Sequence, residues 1–430
     1  MGRQFRQNSV QYKNCNTFAI FCRAAGCKRL PGQTEKIKED FYSMNDHKTM
    51  PRKKKILLAA AAVTAILLIA AIAKVWQMYR EVSGVFDTSE AGSLHVQEDP
   101  DILQNGERFY NLLVVGIDYD PDADDGLHDY VDGKGLTDVI MYVQIDRDEN
   151  TIHILQIPRD SFVGEDPFGD GTLIPYGKIN GCYAYGPDQE NLINNLATVI
   201  YDQFKLPVDN YVTIDMASFK TLLNTMGGIT MHVPWDIVDK ETGAVLVTAG
   251  NHAVSGDTAE VILRNRNYAS ADFQRLETQQ YFYAALVRTF LEEYDLKDYY
   301  DACKTMAAYV NTDLNIKEIW GLYGTMTGMD AGNIFVIRAP GGAQPEHNWA
   351  YGLDKEKLAE ILNRYFRDPE MPVAAEKLGV IGGWDYSQYG EAIDEGKYLG
   401  SIDNGEDGDP DDLLHNDEHY QAALETQSKG

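Results

Sequence analysis

A chain of 430 residues with 44% hydrophobic content can hold one large domain or two ordinary ones, with appendages. Its formal net charge of -28 is unevenly spread: residues 1–55 carry 13 Lys/Arg against 4 Asp/Glu, and the remainder 25 against 62. So acidic a body repels polyanions, which excludes nucleic acid as a partner away from a local basic site, and five cysteines are too few for the disulfide framework of a small secreted domain.

Residues 1–55 show no sustained apolar period and are expected to form a disordered basic segment in the cytoplasm. Cys15, Cys22 and Cys27 lack a second ligand pair at zinc-site spacing and read as free thiols. From Ile56 to Ala73 the chain is apolar or small apart from Thr64, long enough to cross most of a bilayer core of about 30 Å. With Trp76 and Tyr79 at interfacial depth, residues 56–76 are predicted to be a transmembrane anchor. Arg52, Lys53, Lys54 and Lys55 before it orient the anchor with its N-terminus inside, so the body is extracytoplasmic. Ala71-Ile72-Ala73 has the form of a signal-peptide cleavage site, but the apolar run exceeds the usual h-region of about 7 to 15 residues. Residues 77–107, polar and acidic, read as a stalk.

Asn111 to Asp118 is an apolar run of buried-strand type that ends in a carboxylate. An acidic, Gly-rich loop, 119–135, leads to a second strand at Asp138 to Asp146, and the turn 147–150 to a third at Thr151 to Ile157. Leu192, Ile193, Leu196, Val199, Ile200 and Phe204 follow helical spacing. A strand at Tyr211 to Ile214, a helix at Met216 to Met226 stopped by Gly227-Gly228, and a strand at Ile229 to Val233 come next. Helices are predicted at 255–264, 272–294, 297–310 and 315–327, then a strand at 333–337 and a helix at 354–366. The alternation predicts an α/β domain over 108–370, a central mixed β-sheet covered by helices on both faces, preceded by one transmembrane helix. Residues 371–430, rich in Gly and Asp, are expected to be a largely disordered acidic tail, and Cys182 and Cys303 to be small buried thiols or a pair across the fold.

Three features carry chemistry. Asp118 and Asp138 stand at predicted strand ends, where paired carboxylates suit a hard cation such as Mg²⁺ (or Mn²⁺) shared with phosphate; the alternative for each is a turn cap. Pro158-Arg159-Asp160 follows an apolar strand, so Arg159 and Asp160 are aimed into the crevice where α/β folds bind ligands, unless they form a plain surface ion pair. Arg264, Arg266 and Arg275 put three guanidinium forks within twelve residues, a composition suited to phosphate or pyrophosphate. Arg264 and Arg266 would diverge by about 200° on one helix, so their convergence requires the helix to end near Arg264. Asp272 can then cap the next helix, with Arg275 and Gln279 on one face. No Walker A loop, Gly-x-Ser-x-Gly elbow or His-Glu-x-x-His motif competes with this site.

In this order the motifs resemble the LytR-CpsA-Psr (LCP) family of Gram-positive cell envelopes. They are Asn-Leu-Leu-Val-Val-Gly-Ile-Asp at 111–118, Thr-Asp at 137–138, Ile-Pro-Arg-Asp at 157–160 and Lys-Ile-Asn-Gly-Cys-Tyr-Ala-Tyr-Gly at 178–186. Met-Gly-Gly-Ile at 226–229, Arg-Asn-Arg at 264–266, Asp-Phe-Gln-Arg at 272–275 and Gln279-Gln280 complete the set. The resemblance implies an LCP-like α-β-α fold and a membrane-anchored phosphotransferase. Such an enzyme moves a glycopolymer, of teichoic acid or capsular polysaccharide type, from a polyprenyl pyrophosphate carrier to peptidoglycan. It also implies that Arg159, Arg264, Arg266 and Arg275, with Gln279 and Lys178, clamp the pyrophosphate, and that Asp118 and Asp138 hold Mg²⁺. Asp160 is the candidate to orient Arg159 or accept the hydroxyl proton. The chain departs from the family pattern where Tyr119 and Leu136 replace expected arginines and Val139 a hydroxyl residue. Those departures keep two alternatives open: a non-catalytic polyprenyl-phosphate-binding envelope protein, and a polyprenyl pyrophosphate hydrolase.

Overall fold

The structure, a computed structural model, describes residues 92–97, 106, 108–118, 130–131, 134–239, 242–265, 272–289, 304, 309–326, 329, 331–391 and 394–402. All lie in the second of two units into which the chain divides, Met1–Lys74 and Val75–Gly430. The basic segment, the predicted anchor, nearly all of the predicted helix 297–310, and residues 403–430 lie outside the described residues. Among the described residues no helix is long and apolar enough to cross a membrane.

The central sheet is mixed. Its strands in chain order are β1 (Phe109–Asp118), β2 (Tyr130–Val131), β3 (Lys134–Asp146), β4 (Thr151–Gln156), β5 (Asn210–Asp215), β10 (Asn311–Thr312), β11 (Ile334–Arg338) and β14 (Lys397–Tyr398). The spatial order is β10-β5-β1-β3-β4-β11-β14, with β2 paired to β3. β1 runs parallel to β5 and antiparallel to β3, while β4 runs antiparallel to β3 and parallel to β11. The C-terminal ends of β1, β4, β5 and β11 therefore lie on one edge, together with the N-terminal half of β3.

Strand alternation sends successive side chains to opposite faces, and each face has its own core. On one face Leu113, Val115, Tyr142, Leu155 and Ile337 pack with α1 (Ile179–Tyr185), α2 (Leu192–Phe204) and α7 (Lys355–Tyr365). Leu196, Val199 and Ile200 of α2 are fully buried, as their helical spacing predicts, each burial stabilising by about 1.5–3 kcal/mol. On the other face Tyr110, Ile145, Ile154 and Val336 meet α3 (Met216–Thr225), α4 (Gly256–Arg264), α5 (Asp272–Arg288) and α6 (Ile316–Met326). Three ribbons supplement the sheet: β6 (Ile229–Val233) with β9 (Gly250–Val254), β7 (Ile237–Val238) with β8 (Val245–Val247), and β12 (Gly341–Gln344) with β13 (Ala350–Leu353). Coverage of both sheet faces is as predicted.

Three expectations need correction. Asp138 does not end a strand: β3 begins at Lys134, because β2 extends its pairing back into the acidic loop. The stalk is not free where it is described, since Leu94 and Val96 pack on the first core and the Tyr211 hydroxyl donates to the Gly92 carbonyl at 3.1 Å. The predicted tail is folded through Ile402. Leu378, Val380, Leu399 and Ile402 are buried, and β14 pairs with β11. Acidic composition concealed five apolar anchors, these four and Val373, spaced too irregularly to register as a helix or strand. Cys182 is a buried free thiol whose pKa burial pushes up, and Cys303 lies outside the described residues.

Candidate functional site

The site is assembled on the edge where β1, β4 and β11 end. Asp118 is the last residue of β1 and is 5% exposed. The β1–β3 register passes from Gly116 opposite Val139 to Ile117 opposite Thr137, so Asp138 is the extra residue of a β-bulge. A bulge re-aims a side chain out of the strand's alternation, which lets Asp138 reach the sheet edge from inside β3.

Arg159 follows β4 in a turn held by its backbone at several points. The Asn180 amide donates to the Arg159 carbonyl at 3.1 Å, the Tyr351 amide to the Asp160 carbonyl at 2.8 Å, and the Ile179 amide to the Ser161 carbonyl at 2.9 Å. The Ser161 hydroxyl donates to the Pro158 carbonyl at 2.7 Å. So tethered, the turn presents its side chains without further ordering. Arg159, 9% exposed, donates through Nη1 to Asp138. That burial and partner overturn the reading of Arg159 and Asp160 as a plain surface pair. Asp160 lies 3.0 Å from Lys178 Nζ and 3.8 Å from Arg159 Nε, so its nearer cation is the lysine.

Helix α4 is capped at its start by Ser255 and ends at Arg264, with Asn265 beyond it in extended backbone, which is the ending that convergence required. Arg264 forks onto Asp118, Nη1 to Oδ1 at 2.9 Å and Nη2 to Oδ2 at 3.4 Å, and lies 3.6 Å from Glu260. Arg266 lies outside the described residues. Asp272 opens α5, and the side-chain cap expected of it also lies outside them. Arg275 and Gln279 share a face of α5 and are buried at 3% and 4% exposure.

Four further residues join this edge. Gln156, the last residue of β4, accepts from Gln280 Nε2 of α5 at 2.9 Å, and the same amide is 3.3 Å from Asp394. Asp394 also accepts from the Arg338 backbone amide at 3.0 Å, at the end of β11. The Tyr283 hydroxyl beside this cluster has its pKa raised by burial, against the opposing charge of Arg275. Arg338 could have been found by the logic that singled out Asp118, a charge ending an apolar strand. Gln280 stood in a quoted motif without a role, and Asp394 had no signal in a segment that read as tail.

Among the described residues no three His, Cys, Asp or Glu side chains group as a metal site; Asp118 and Asp138 stand near one another on this edge across the β1–β3 pairing. Two carboxylates fit Mg²⁺ or Mn²⁺ when a substrate's phosphates and water complete the shell. With Arg159 and Arg264 alongside, the edge is suited to a doubly charged phosphate group. On the helix side, Leu112, Met141, Val143, Phe219, Leu263 and Leu286 are half-buried apolar side chains between the sheet and α3, α4 and α5.

The chain resembles known proteins over most of the described domain. The chain is 25% identical over 262 residues to the polyisoprenyl-teichoic acid–peptidoglycan teichoic acid transferase TagT of Bacillus subtilis, covering 60% of this chain and 76% of that protein. Against TagV of the same organism, a transferase of the same description, identity is 23% over 311 residues, covering 69% and 74%. The crystal structure of protein gbs0355 from Streptococcus agalactiae has the same fold, with a TM-score of 0.51 at 20% identity over 64% of this chain and 93% of that one. The model of the LytR_cpsA_psr family matches residues 78–367, which contain every residue of the arginine and aspartate cluster, and the chain belongs to that family.

Proposed function

We propose that this protein is a membrane-anchored phosphotransferase that attaches a glycopolymer, of teichoic acid or capsular polysaccharide type, from a polyprenyl pyrophosphate carrier to peptidoglycan. The observation that carries the reading is the convergence of Arg159 and Arg264 with Asp118 and Asp138 on one sheet edge. The names of the relatives, teichoic acid transferases, give the substrate class. The apolar run 56–73 behind four basic residues supports an anchor with the domain outside the cell.

In the proposed reaction a hydroxyl oxygen of the acceptor glycan attacks the glycan-linked phosphorus. A phosphodiester forms, the bridging P–O bond breaks, and polyprenyl monophosphate leaves with the electron pair. Such transfer needs alignment and charge neutralisation more than covalent help from the protein. Arg159, Arg264 and Arg275 would hold the phosphate oxygens and stabilise the charge that develops on them. Asp160 would accept the hydroxyl proton, with Lys178 at 3.0 Å fixing its orientation. Asp118 and Asp138 would hold Mg²⁺ or Mn²⁺, which when bound neutralises pyrophosphate charge. The half-buried apolar face between sheet and helices suits the lipid tail.

Purified protein mixed with a polyprenyl pyrophosphate glycan, peptidoglycan and Mg²⁺ is expected to release polyprenyl monophosphate and to label the wall polymer. Release of free glycan would instead make the protein a hydrolase. Saturable lipid binding without turnover, unchanged by chelation, would make it a binding protein.

A further inference from the structure

We propose that an exposed aromatic surface beside Asp160, centred on Trp349 and Tyr389, is a carbohydrate-binding platform that seats the acceptor glycan strand. The inference rests on the transferase reading for the identity of the strand, and on the structure for its place.

The platform is stitched to the Arg159-Asp160 turn. The Tyr351 amide of β13 donates to the Asp160 carbonyl, and the Phe162 amide returns a bond to the Tyr351 carbonyl at 2.9 Å. Trp349 stands two residues before Tyr351, in the loop between β12 and β13. Phe162, two residues after Asp160, packs its ring against His347 at 5.2 Å and against Trp384 at 5.5 Å, and His347 meets Trp384 at 5.1 Å. Trp349 meets Tyr389 edge-on at 5.4 Å.

The rings of this surface face water and touch one another. Trp349 is 59% exposed and Tyr389 44%. Asn348 and Trp349 both hold positive φ, 56° and 60°. A bulky side chain is seldom found in that region, and strained backbone of this kind clusters at ligand-binding positions. The rings add nothing to either core. Exposed aromatic patches next to a charged crevice mark binding surfaces, and aromatic side chains offer area at small entropic cost.

Ligand chemistry follows from the surroundings. A pyranose ring has an apolar C–H face that stacks on an aromatic ring and a rim of hydroxyls that needs polar partners. Glu346, His347, Asn348 and Gln388, all exposed, supply such partners in the same loops, and Gln388 Nε2 donates to the Tyr389 hydroxyl at 3.2 Å. A lipid tail would require a continuous apolar trough, which these polar side chains interrupt.

The geometry of the reaction selects the acceptor over the donor. In phosphoryl transfer the entering and leaving oxygens lie roughly in line on opposite sides of phosphorus. The leaving lipid phosphate belongs with the apolar face of α4 and α5. Tyr351 and Leu353 of β13 belong instead to the core on the other face, with α1, α2 and α7. The platform is thus on the side from which the attacking hydroxyl must come, and the bond from β13 to the Asp160 carbonyl ties it to that turn. Trp384 and Tyr389 lie beyond residue 367, where the family match stops, so half of the platform is built from a segment outside that match.

The test is a titration of the purified protein with a soluble peptidoglycan glycan fragment, followed by tryptophan fluorescence, on wild type, Trp349→Ala, Tyr389→Ala and Trp349→Phe. Both alanine variants should weaken binding about tenfold, and the phenylalanine variant should retain most of it. In turnover assays the alanine variants should raise the KM for peptidoglycan without moving the KM for the lipid-linked donor. Equal affinity of all four proteins for the fragment would overturn the proposal, as would a rise in donor KM alone, which would assign the platform to the donor glycan. Repeating the titration with Arg264→Ala separates the two readings. If transfer is never observed while fragment binding still depends on Trp349, the platform stands and the transferase reading fails.

Discussion

The two ends of the central sheet both set arginine against aspartate, and they do so differently. At the end away from the site, Arg108 donates to Asp146 through Nε at 2.9 Å, and the amides of Asp148 and Glu149 fill the other carboxylate oxygen at 3.0 and 3.1 Å. The turn that follows β3 completes this carboxylate's bonds, and the β1–β3 pairing brings Arg108, 38 residues away, to it. At the site end, Asp118 meets an arginine 146 residues away, and Asp138 reaches Arg159 only because a bulge turns it outward. Those pairs depend on where α4 stops and on how the turn at Arg159 is tethered. On the proposed function they are also exchangeable, since phosphate oxygens can replace a carboxylate as the partner of a guanidinium. A pair whose carboxylate is also held by the amides of its turn stabilises the fold; a pair at the site edge can be opened by a ligand.

The sharpest way to break this comparison is at Arg264. Arg264→Ala should lower the rate of polyprenyl monophosphate release by about 10²–10³, the usual loss when one donor to developing charge is removed, while costing about 1 kcal/mol of stability, as for the similarly exposed Arg108 pair. Arg264→Lys should recover only part, because a point charge cannot reproduce the fork. Activity within twofold of wild type in the alanine variant would place Arg264 among the structural pairs.

Asp394→Ala probes the link between the folded C-terminal segment and the site. Gln280 Nε2 and the Arg338 amide would each lose an acceptor, so stability should fall by about 1–3 kcal/mol in urea unfolding. Transfer should fall with it, by about tenfold, because α5 carries Arg275 and Gln279. Unchanged stability would mean that residues 394–402 rest on the domain without organising it.

At the far end the expected effects are smaller and of a different kind. Arg108→Ala should cost about 1 kcal/mol of stability, since the arginine is partly solvated, and should leave transfer unchanged. The Asp146 carboxyl is held below its ordinary value: burial would raise it, and the bonds from Arg108, Glu149 and Asp148 together outweigh burial. A depressed folded pKa means that this stabilisation is complete above the unfolded value of about 3.9 and is lost as pH falls through the folded one. Asp146→Asn should therefore be less stable at pH 7 and show a shallower loss of stability below about pH 4, read from urea midpoints across that range.

Much of the fold was legible because it depends on period and punctuation. The apolar run to Asp118, the α2 spacing and the stop at Gly227-Gly228 each specify structure within a few residues, and the structure places β1, α2 and α3 accordingly. The end of α4 at Arg264 could be inferred from a chemical requirement, that neighbouring arginines converge. The segment after residue 370 could not, because five irregularly spaced apolar anchors leave no periodic trace among acids and glycines. Gln156 and Gln280 were hidden for another reason: a glutamine in a strand and one in a helix acquire meaning only when packing brings them to 2.9 Å.

By itself, then, the sequence determined which residue types could bind a pyrophosphate, that Asp118 would end a buried strand, and that both faces of the sheet would be covered, since these follow from local charge, period and length. Tertiary structure alone decided that Asp138 reaches the edge through a bulge, that Asp160 faces Lys178, that Asp394 closes the β11 side, and that Trp349 and Tyr389 stand together beside the turn at Asp160. Each of those contacts joins segments whose separation along the chain carries no information about their distance in space.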